Sequence, residues 1–299
     1  MTGRFAPSPS GRMHLGNVFA ALLAWLSVRS GGGEMILRIE DLDPDRCRPE
    51  YADRLKKDLE LLGLDWDREQ TPQSQRGEAY AEAFARLEEL GLVYPCYCSR
   101  AELHAASAPH ASDGQLIYSG ACRDLTPAQR AEKTKTPAWR LRAEGVYAFT
   151  DGLQGLYAEA LARDCGDFII RRADGVYAYQ LAVVCDDMAG GVTQVVRGRD
   201  LLSSTPRQLY LYELLGGTAP SFCHVPLLVD ASGRRLSKRD GDLDLSALLE
   251  TYTAPELVGR LAWAAGLLDR YAPATPAELA KIFRWDRVKR QDIVIREFL

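Results

Sequence analysis

Arg4-Phe5-Ala6-Pro7-Ser8-Pro9-Ser10-Gly11-Arg12-Met13-His14-Leu15-Gly16-Asn17 leads directly into an apolar run from Val18 to Val28. A short strand fits Arg4–Ala6, stopped by the turn signals Pro7 and Pro9. Asn17 suits the cap of a helix that runs to the stop at Ser30-Gly31-Gly32-Gly33. Met35-Ile36-Leu37-Arg38-Ile39 then reads as a buried strand, ending in the acidic residues Glu40, Asp41 and Asp43. Strand, loop, helix and strand make a βαβ unit, and ligands of such sheets sit at the carboxyl ends of the strands. Both the His14 loop and Glu40 belong to that edge.

A second motif lies far downstream, Arg235-Leu236-Ser237-Lys238-Arg239. Each half is weak alone: a lone His-x-Gly-x is cheap, and a Ser-Lys pair in a charged loop is ordinary solvated surface. The placement of the first, after Pro-Ser-Pro-Ser-Gly and before an apolar helix, gives it chemical meaning. Backbone N–H groups and the helix dipole at that point favour phosphate. His14 can hydrogen-bond phosphate oxygens as charge develops, and Gly16 admits a nucleotide where a Cβ would clash. Gly233 before the second motif, and Asp240-Gly241 after it, predict a loop whose Lys238 closes on a triphosphate and neutralises the departing pyrophosphate. His14 and Lys238 are thus the candidate catalytic pair, with Gly16, Asn17 and Ser237 completing a site for ATP. The chemistry that suits the pair is attack of a carboxylate on the α-phosphate.

Composition sets wider bounds. An apolar fraction of 46% and a charged fraction of 26% are those of an ordinary globular protein. The net charge of −4 supplies no global field for nucleic acid, so any such contact needs a local basic face. The tail offers one: Lys281, Arg284, Arg287, Lys289, Arg290 and Arg296 stand against Asp286 and Asp292. Met1 to Ser8 has no apolar h-region, and Val18–Val28 is too short to span a bilayer. A cytoplasmic protein away from membranes is expected, its seven cysteines reduced or metal-bound.

Helical periodicity marks Tyr51–Leu62 and Glu78–Leu90. The stretch from Cys96 to about Thr136 is rich in Ala, Ser, His and Pro and reads as an inserted module. Strand-like runs resume at Phe168–Ile170, Gly191–Val196 and His224–Val229, and short helices fit Leu243–Leu249, Ala254–Leu267 and Pro276–Phe283. Cys96, Cys98 and Cys122 fall close together and favour a zinc site. Their fourth ligand is open among Tyr118, His104 and His110. Arg4 and Arg197 offer planar forks for the carboxylates of a dicarboxylate substrate. Glu40 would pair with an α-ammonium, and Tyr179 reads either as core or as part of that site.

The blocks Arg4–Asn17, Arg38–Asp43, Tyr179–Asp187, Val196–Gly198 and Arg235–Arg239 together resemble the glutamyl-tRNA synthetases, class I aminoacyl-tRNA synthetases, over roughly residues 1–240. Val183 stands where that family commonly has Asn, and Leu42 where it has Thr. The cysteine window with Tyr118, and the short stretch after the lysine motif, resemble the truncated branch that forms glutamyl-queuosine on tRNA(Asp). The resemblance implies an α/β fold: a split Rossmann-type catalytic domain at 1–94 and 168–240, an inserted zinc-containing acceptor-type module at 95–167, a helical region at 241–299, and no anticodon-binding domain. It implies glutamate binding by Arg4, Ala6, Ser8, Glu40, Tyr179 and Arg197, and zinc held by Cys96, Cys98, Tyr118 and Cys122. It implies ATP with Mg2+ and Zn2+ as cofactors. The implied partners are L-glutamate and queuosine-containing tRNA(Asp), met by a monomer that activates glutamate without tRNA. A minimal enzyme charging tRNA(Glu) and a non-catalytic tRNA-binding relic are the rivals. Retention of His14, Gly16, Glu40, Arg197 and Lys238 together argues against the relic.

Overall fold

A computed structural model describes residues 1–99, 117–234 and 244–295. Parallel strands flanked by helices begin the chain: β1 (Thr2–Phe5), α1 (Leu15–Ser30), β2 (Glu34–Leu37), α2 (Pro49–Leu61), β3 (Arg68–Glu69) and α3 (Gly77–Glu89). An antiparallel segment follows, with β4 (Val93–Cys96), α4 (Pro127–Ala131), β5 (Ala138–Leu141), the hairpin β6 (Val146–Asp151) and β7 (Gly155–Ala160), α5 (Leu161–Asp164) and β8 (Phe168–Arg171). The chain then returns through α6 (Tyr179–Gly190), β9 (Gln194–Gly198), α7 (Ser204–Leu214), β10 (Ser221–Val225) and β11 (Leu228–Val229). It ends in α8 (Leu245–Thr251), α9 (Ala254–Ala265), α10 (Pro276–Ala280) and β12 (Ile293–Val294).

Strands β1, β2 and β3 are parallel, with Arg4 opposite Ile36 and Phe5 opposite Leu37. Strands β9 and β10 are also parallel, with His224 directly opposite Arg197. The two sets meet where Thr193 N donates to Thr2 O at 2.9 Å and Thr2 N donates to Thr193 Oγ1 at 2.8 Å. The carboxyl ends of β1 and β9 therefore face one cleft, as the βαβ pattern requires.

Helix α1 is apolar on every side and buried accordingly: Val18, Phe19, Leu22, Leu23 and Leu26 are all closed to solvent. It packs into one core with β1, β2 and the terminal helices α9 and α10. Each such side chain contributes about 1.5–3 kcal/mol by leaving water. A second core joins α3, α6 and α7 to β5 and β8. Strands β4, β5 and β8 form one sheet, so the antiparallel segment draws its outer strands from residues 93–96 and 168–171. Among the described residues no helix is long and apolar enough to cross a membrane.

Several boundaries differ from the sequence reading, each for a local reason. His14, not Asn17, caps α1; Asn17 sits at its third position, and its Oδ1 accepts from His14 N at 3.4 Å to form a reciprocal box. The expected strand at Gly191–Val196 starts later, because Gly191 takes φ +63° and closes α6. The expected strand His224–Val229 is two strands, since Pro226 has no N–H to give a ladder. Its second half, β11, pairs with β12 from the far end of the chain, an element too short to show a period.

Candidate active site

One cleft of about 450 Å³ opens at the carboxyl ends of β1 and β9. That volume falls within the range of about 300–1,000 Å³ common to small-molecule sites. Arg4, Ala6, Ser8, His14, Gly16, Asn17, Glu40, Tyr179 and Arg197 all line it. Every one of these nine positions was a candidate from sequence. Ser237 and Lys238, the other half of the ATP motif, lie outside the described residues, as do His104, His110 and Arg296.

One end of the cleft is the start of α1. No acidic residue occupies its first turn, so the helix itself supplies no charge against its positive pole. A Cβ at Gly16 would stand 3.1 Å from the His14 ring, so glycine leaves that imidazole its place as well as keeping the helix start open.

The other end is charged and buried. Arg38, closed to solvent, donates to Asp187 Oδ1 at 2.6 Å and to Glu40 Oε1 at 3.0 Å, with Asp186 at 3.8 Å. Arg4 Nε lies 3.5 Å from the same Asp187 oxygen, and Arg4 Nη1 donates to Val196 O at 3.3 Å. Asp186 is held in turn by Arg76 Nε at 2.6 Å, Gln73 Nε2 at 2.7 Å and the Tyr80 hydroxyl at 2.9 Å. Burial raises the Glu40 carboxyl above its ordinary range, against the pull of Arg38 and Arg4. Such buried charges persist only when paired, and the Asp186-Asp187 doublet of α6 supplies the pairing.

Arg197, 6% exposed, is held on three sides. Its Nε donates to His224 Nε2 at 3.0 Å, and Nη2 donates to Thr205 Oγ1 at 2.8 Å and Leu201 O at 3.3 Å. Nη1 approaches the Tyr179 hydroxyl at 3.5 Å. Glu40, on the β2 side, and Arg197, on β9, therefore present opposite charges to one cleft. An amino acid, carrying an ammonium and a carboxylate, has the complementary charges.

The cysteine cluster is a separate site. The Sγ atoms of Cys96, Cys98 and Cys122 lie within 4.8 Å of one another, and Cys98 and Cys122 are 3.6 Å apart. Thiolates bound tetrahedrally at 2.3 Å would be about 3.8 Å apart, so the spacing fits zinc. The Tyr118 hydroxyl is 3.7 Å from Cys98 Sγ and accepts from Cys122 N at 2.7 Å. Burial opposes the Cys96 thiolate, yet Tyr118 and Arg140 outweigh it and hold that thiol below its usual value. Burial pushes Cys98 up to about 11.

Sequence reasoning missed Arg38, Thr205, His224 and Asp151 as parts of the site. A cation inside an apolar strand run was the available signal for Arg38, since it demands acidic partners elsewhere. The tail's cations Lys281, Arg284, Arg287, Lys289 and Arg290 are exposed, but Arg284 pairs with Asp286 and Arg287 with Asp269. Asp292 is spent on Arg199 at 2.6 Å and Leu227 N at 2.8 Å.

Comparison with known proteins gives the family of the chain. The family profile described as tRNA synthetases class I (E and Q), catalytic domain, matches residues 1–292. A protein of Nitratidesulfovibrio vulgaris named glutamyl-Q tRNA(Asp) synthetase is 51% identical, covering 92% of this chain and 90% of that one. A protein of Symbiobacterium thermophilum with the same name is 48% identical, covering 99% and 96%. The crystal structure of glutamate-tRNA synthetase from Elizabethkingia anophelis superposes with a TM-score of 0.83 at 24% identity, covering 99% of this chain and 68% of that one, a likeness of fold. The chain belongs to the class I tRNA synthetases of the E and Q type and carries their catalytic domain.

Proposed function

We propose that the protein activates L-glutamate with ATP and transfers it to the queuosine base at the wobble position of tRNA(Asp). A glutamate α-carboxylate oxygen attacks the α-phosphorus of ATP, pyrophosphate leaves, and glutamyl-adenylate forms. A hydroxyl of the queuosine base then attacks the glutamyl carbonyl, AMP leaves, and an ester results. The acceptor is carried by one observation: near-full-length relatives at 51 and 48% identity bear the name glutamyl-Q tRNA(Asp) synthetase. The minimal glutamyl-tRNA synthetase has the shared fold alone behind it.

The cleft supports the glutamate half. Arg197 meets the side-chain carboxylate through Nη1, as a charge-assisted hydrogen bond with Tyr179 beside it. Glu40 meets the α-ammonium, and Arg4, Ala6 and Ser8 line the same cleft. His14, Gly16 and Asn17 receive the phosphates at the start of α1, and Ser237 and Lys238, as the sequence motif suggests, serve the same triphosphate. Mg2+ accompanies the triphosphate. Zinc, when bound, closes the antiparallel segment through Cys96, Cys98, Cys122 and Tyr118, with His104 and His110 as the alternative fourth ligands; it supplies structure and takes no part in the transfer. The protein acts in the cytoplasm as a monomer.

Charging with radiolabelled glutamate tests the reading, comparing tRNA(Asp) with queuosine, tRNA(Asp) without it, and tRNA(Glu). Label on the first alone is expected. Label on tRNA(Glu) overturns the acceptor.

A further inference from the structure

His224 is closed to solvent, and the β9–β10 register sets it directly opposite Arg197. Its Nδ1 lies 2.6 Å from Asp151 Oδ2. Asp151, 3% exposed, ends β6 at the turn of the antiparallel hairpin. Its Oδ1 accepts from Leu153 N at 3.0 Å, Gln154 N at 2.8 Å and His224 N at 3.1 Å. The same turn is pinned to β10 by Gly152 N donating to Phe222 O at 2.9 Å and Gln154 Nε2 donating to His224 O at 2.8 Å.

These bonds fix a direction of polarity. A guanidinium only donates, so the His224 Nε2 that receives Arg197 Nε–H must present its lone pair. The imidazole proton then sits on Nδ1 and is given to Asp151, a carboxylate that only accepts. Burial beside the rings of Phe149 and Phe222 favours this neutral form, and the protonated ring would set an N–H against an N–H. With Nε and Nη2 both engaged, the plane of the Arg197 fork is set and Nη1 is left toward Tyr179 and the cleft.

We infer that Asp151 and His224 are positioning residues of the amino-acid site: Asp151 selects the tautomer of His224, and His224 holds the Arg197 guanidinium in the plane that turns Nη1 to the substrate carboxylate. The inference rests on the reading of Arg197 as the carboxylate grip. It makes the hairpin, inserted in sequence between β5 and β8, a working part of glutamate selection.

The variants separate a positioning role from a packing role. His224→Asn keeps an N–H for Asp151 but removes the acceptor for Arg197. His224→Gln returns an acceptor near the Nε2 position. Asp151→Asn lets the ring reverse its tautomer and turn an N–H on Arg197. ATP–pyrophosphate exchange is measured for the whole protein, varying glutamate, glutamine and ATP separately, with Arg197→Ala as the reference. His224→Asn and Asp151→Asn are expected to raise the glutamate KM by about ten- to hundredfold and narrow the preference for glutamate over glutamine, the loss of a hydrogen bond to a charged group. The ATP KM should stay within about twofold, and His224→Gln should recover most of the glutamate KM. If Arg197→Ala leaves the glutamate KM unchanged, the site reading itself falls. If Arg197→Ala raises it while Asp151→Asn and His224→Asn do not, or while both KM values move together in those variants, the relay alone is overturned. Should His224→Asn fail to fold, Asp151→Asn decides by the same criteria.

Discussion

Arg197→Ala should cripple the use of glutamate and spare the binding of ATP. Arg197 is 6% exposed, and its Nη1 is directed toward Tyr179 at the cleft wall. A carboxylate that enters there loses water and gains the fork. Without the fork it stays buried and unpaired, at a cost of about 2–5 kcal/mol. That corresponds to a fall in kcat/KM for glutamate of about 30- to 5,000-fold. Arg197→Lys should fall between the two, because an ammonium keeps the charge but cannot replace the donors to Thr205 and His224 that fix the direction of the grip. The phosphate end is built on α1 from other residues, so the ATP KM should hold. The assay is ATP–pyrophosphate exchange with glutamate varied at saturating ATP, then the reverse, with thermal unfolding as a control. A glutamate KM and kcat/KM near wild type in Arg197→Ala would refute the substrate assignment.

Exchange should proceed with glutamate in the absence of tRNA, since one cleft gathers the whole candidate amino-acid site; strict dependence on tRNA would favour the minimal glutamyl-tRNA synthetase. Purified protein should carry about one zinc per chain by elemental analysis, as structural sites close with four ligands, and Cys122→Ser should lose it. Metal kept in Tyr118→Phe, but lost from His104→Ala or His110→Ala, would move the fourth ligand to a histidine. Burial lowers the His224 pKa from 6.5, and the charges facing the ring are Asp151 from β6, Arg197 from β9 and Arg4 from β1. The unfolded chain then takes the proton first, so stability is full above pH 6.5 and is lost as pH falls toward the folded value. Urea unfolding at about pH 7.5 and about pH 5.5 should show this loss, and His224→Gln should flatten it; an equal slope in both proteins would assign the titration elsewhere.

The parts of the site that were legible in sequence are those made by one short stretch of chain. The Pro-Ser-Pro-Ser-Gly turn, the His14 loop and the apolar run of α1 carry their geometry locally, and the structure sets a strand, Thr2–Phe5, before them and a helix, Leu15–Ser30, through the apolar run, with both boundaries shifted from the sequence reading. Arg4, Glu40, Tyr179 and Arg197 could be named because their chemistry was conspicuous, and all four line the cleft. The relay of Asp151 and His224 could not be read, because it joins residues 73 positions apart, and neither has an unusual local pattern. The Arg38 network was hidden for the same reason: its partners Asp186 and Asp187 are fixed only when α6 folds against β2. The exchange of cap between His14 and Asn17 lies within the usual uncertainty of a helix end. Pro226 was a visible break that the apolar run obscured, and β12 was too short to show a period.

The central claim is the acceptor, and the position of the transferred label tests it most directly. The protein is incubated with ATP, radiolabelled glutamate and queuosine-containing tRNA(Asp), and the product is cut by nuclease into anticodon and acceptor fragments. Label on the fragment that holds the anticodon is the predicted result. Label on the terminal adenosine, removed with the acceptor end, would contradict the account and make the protein a minimal glutamyl-tRNA synthetase.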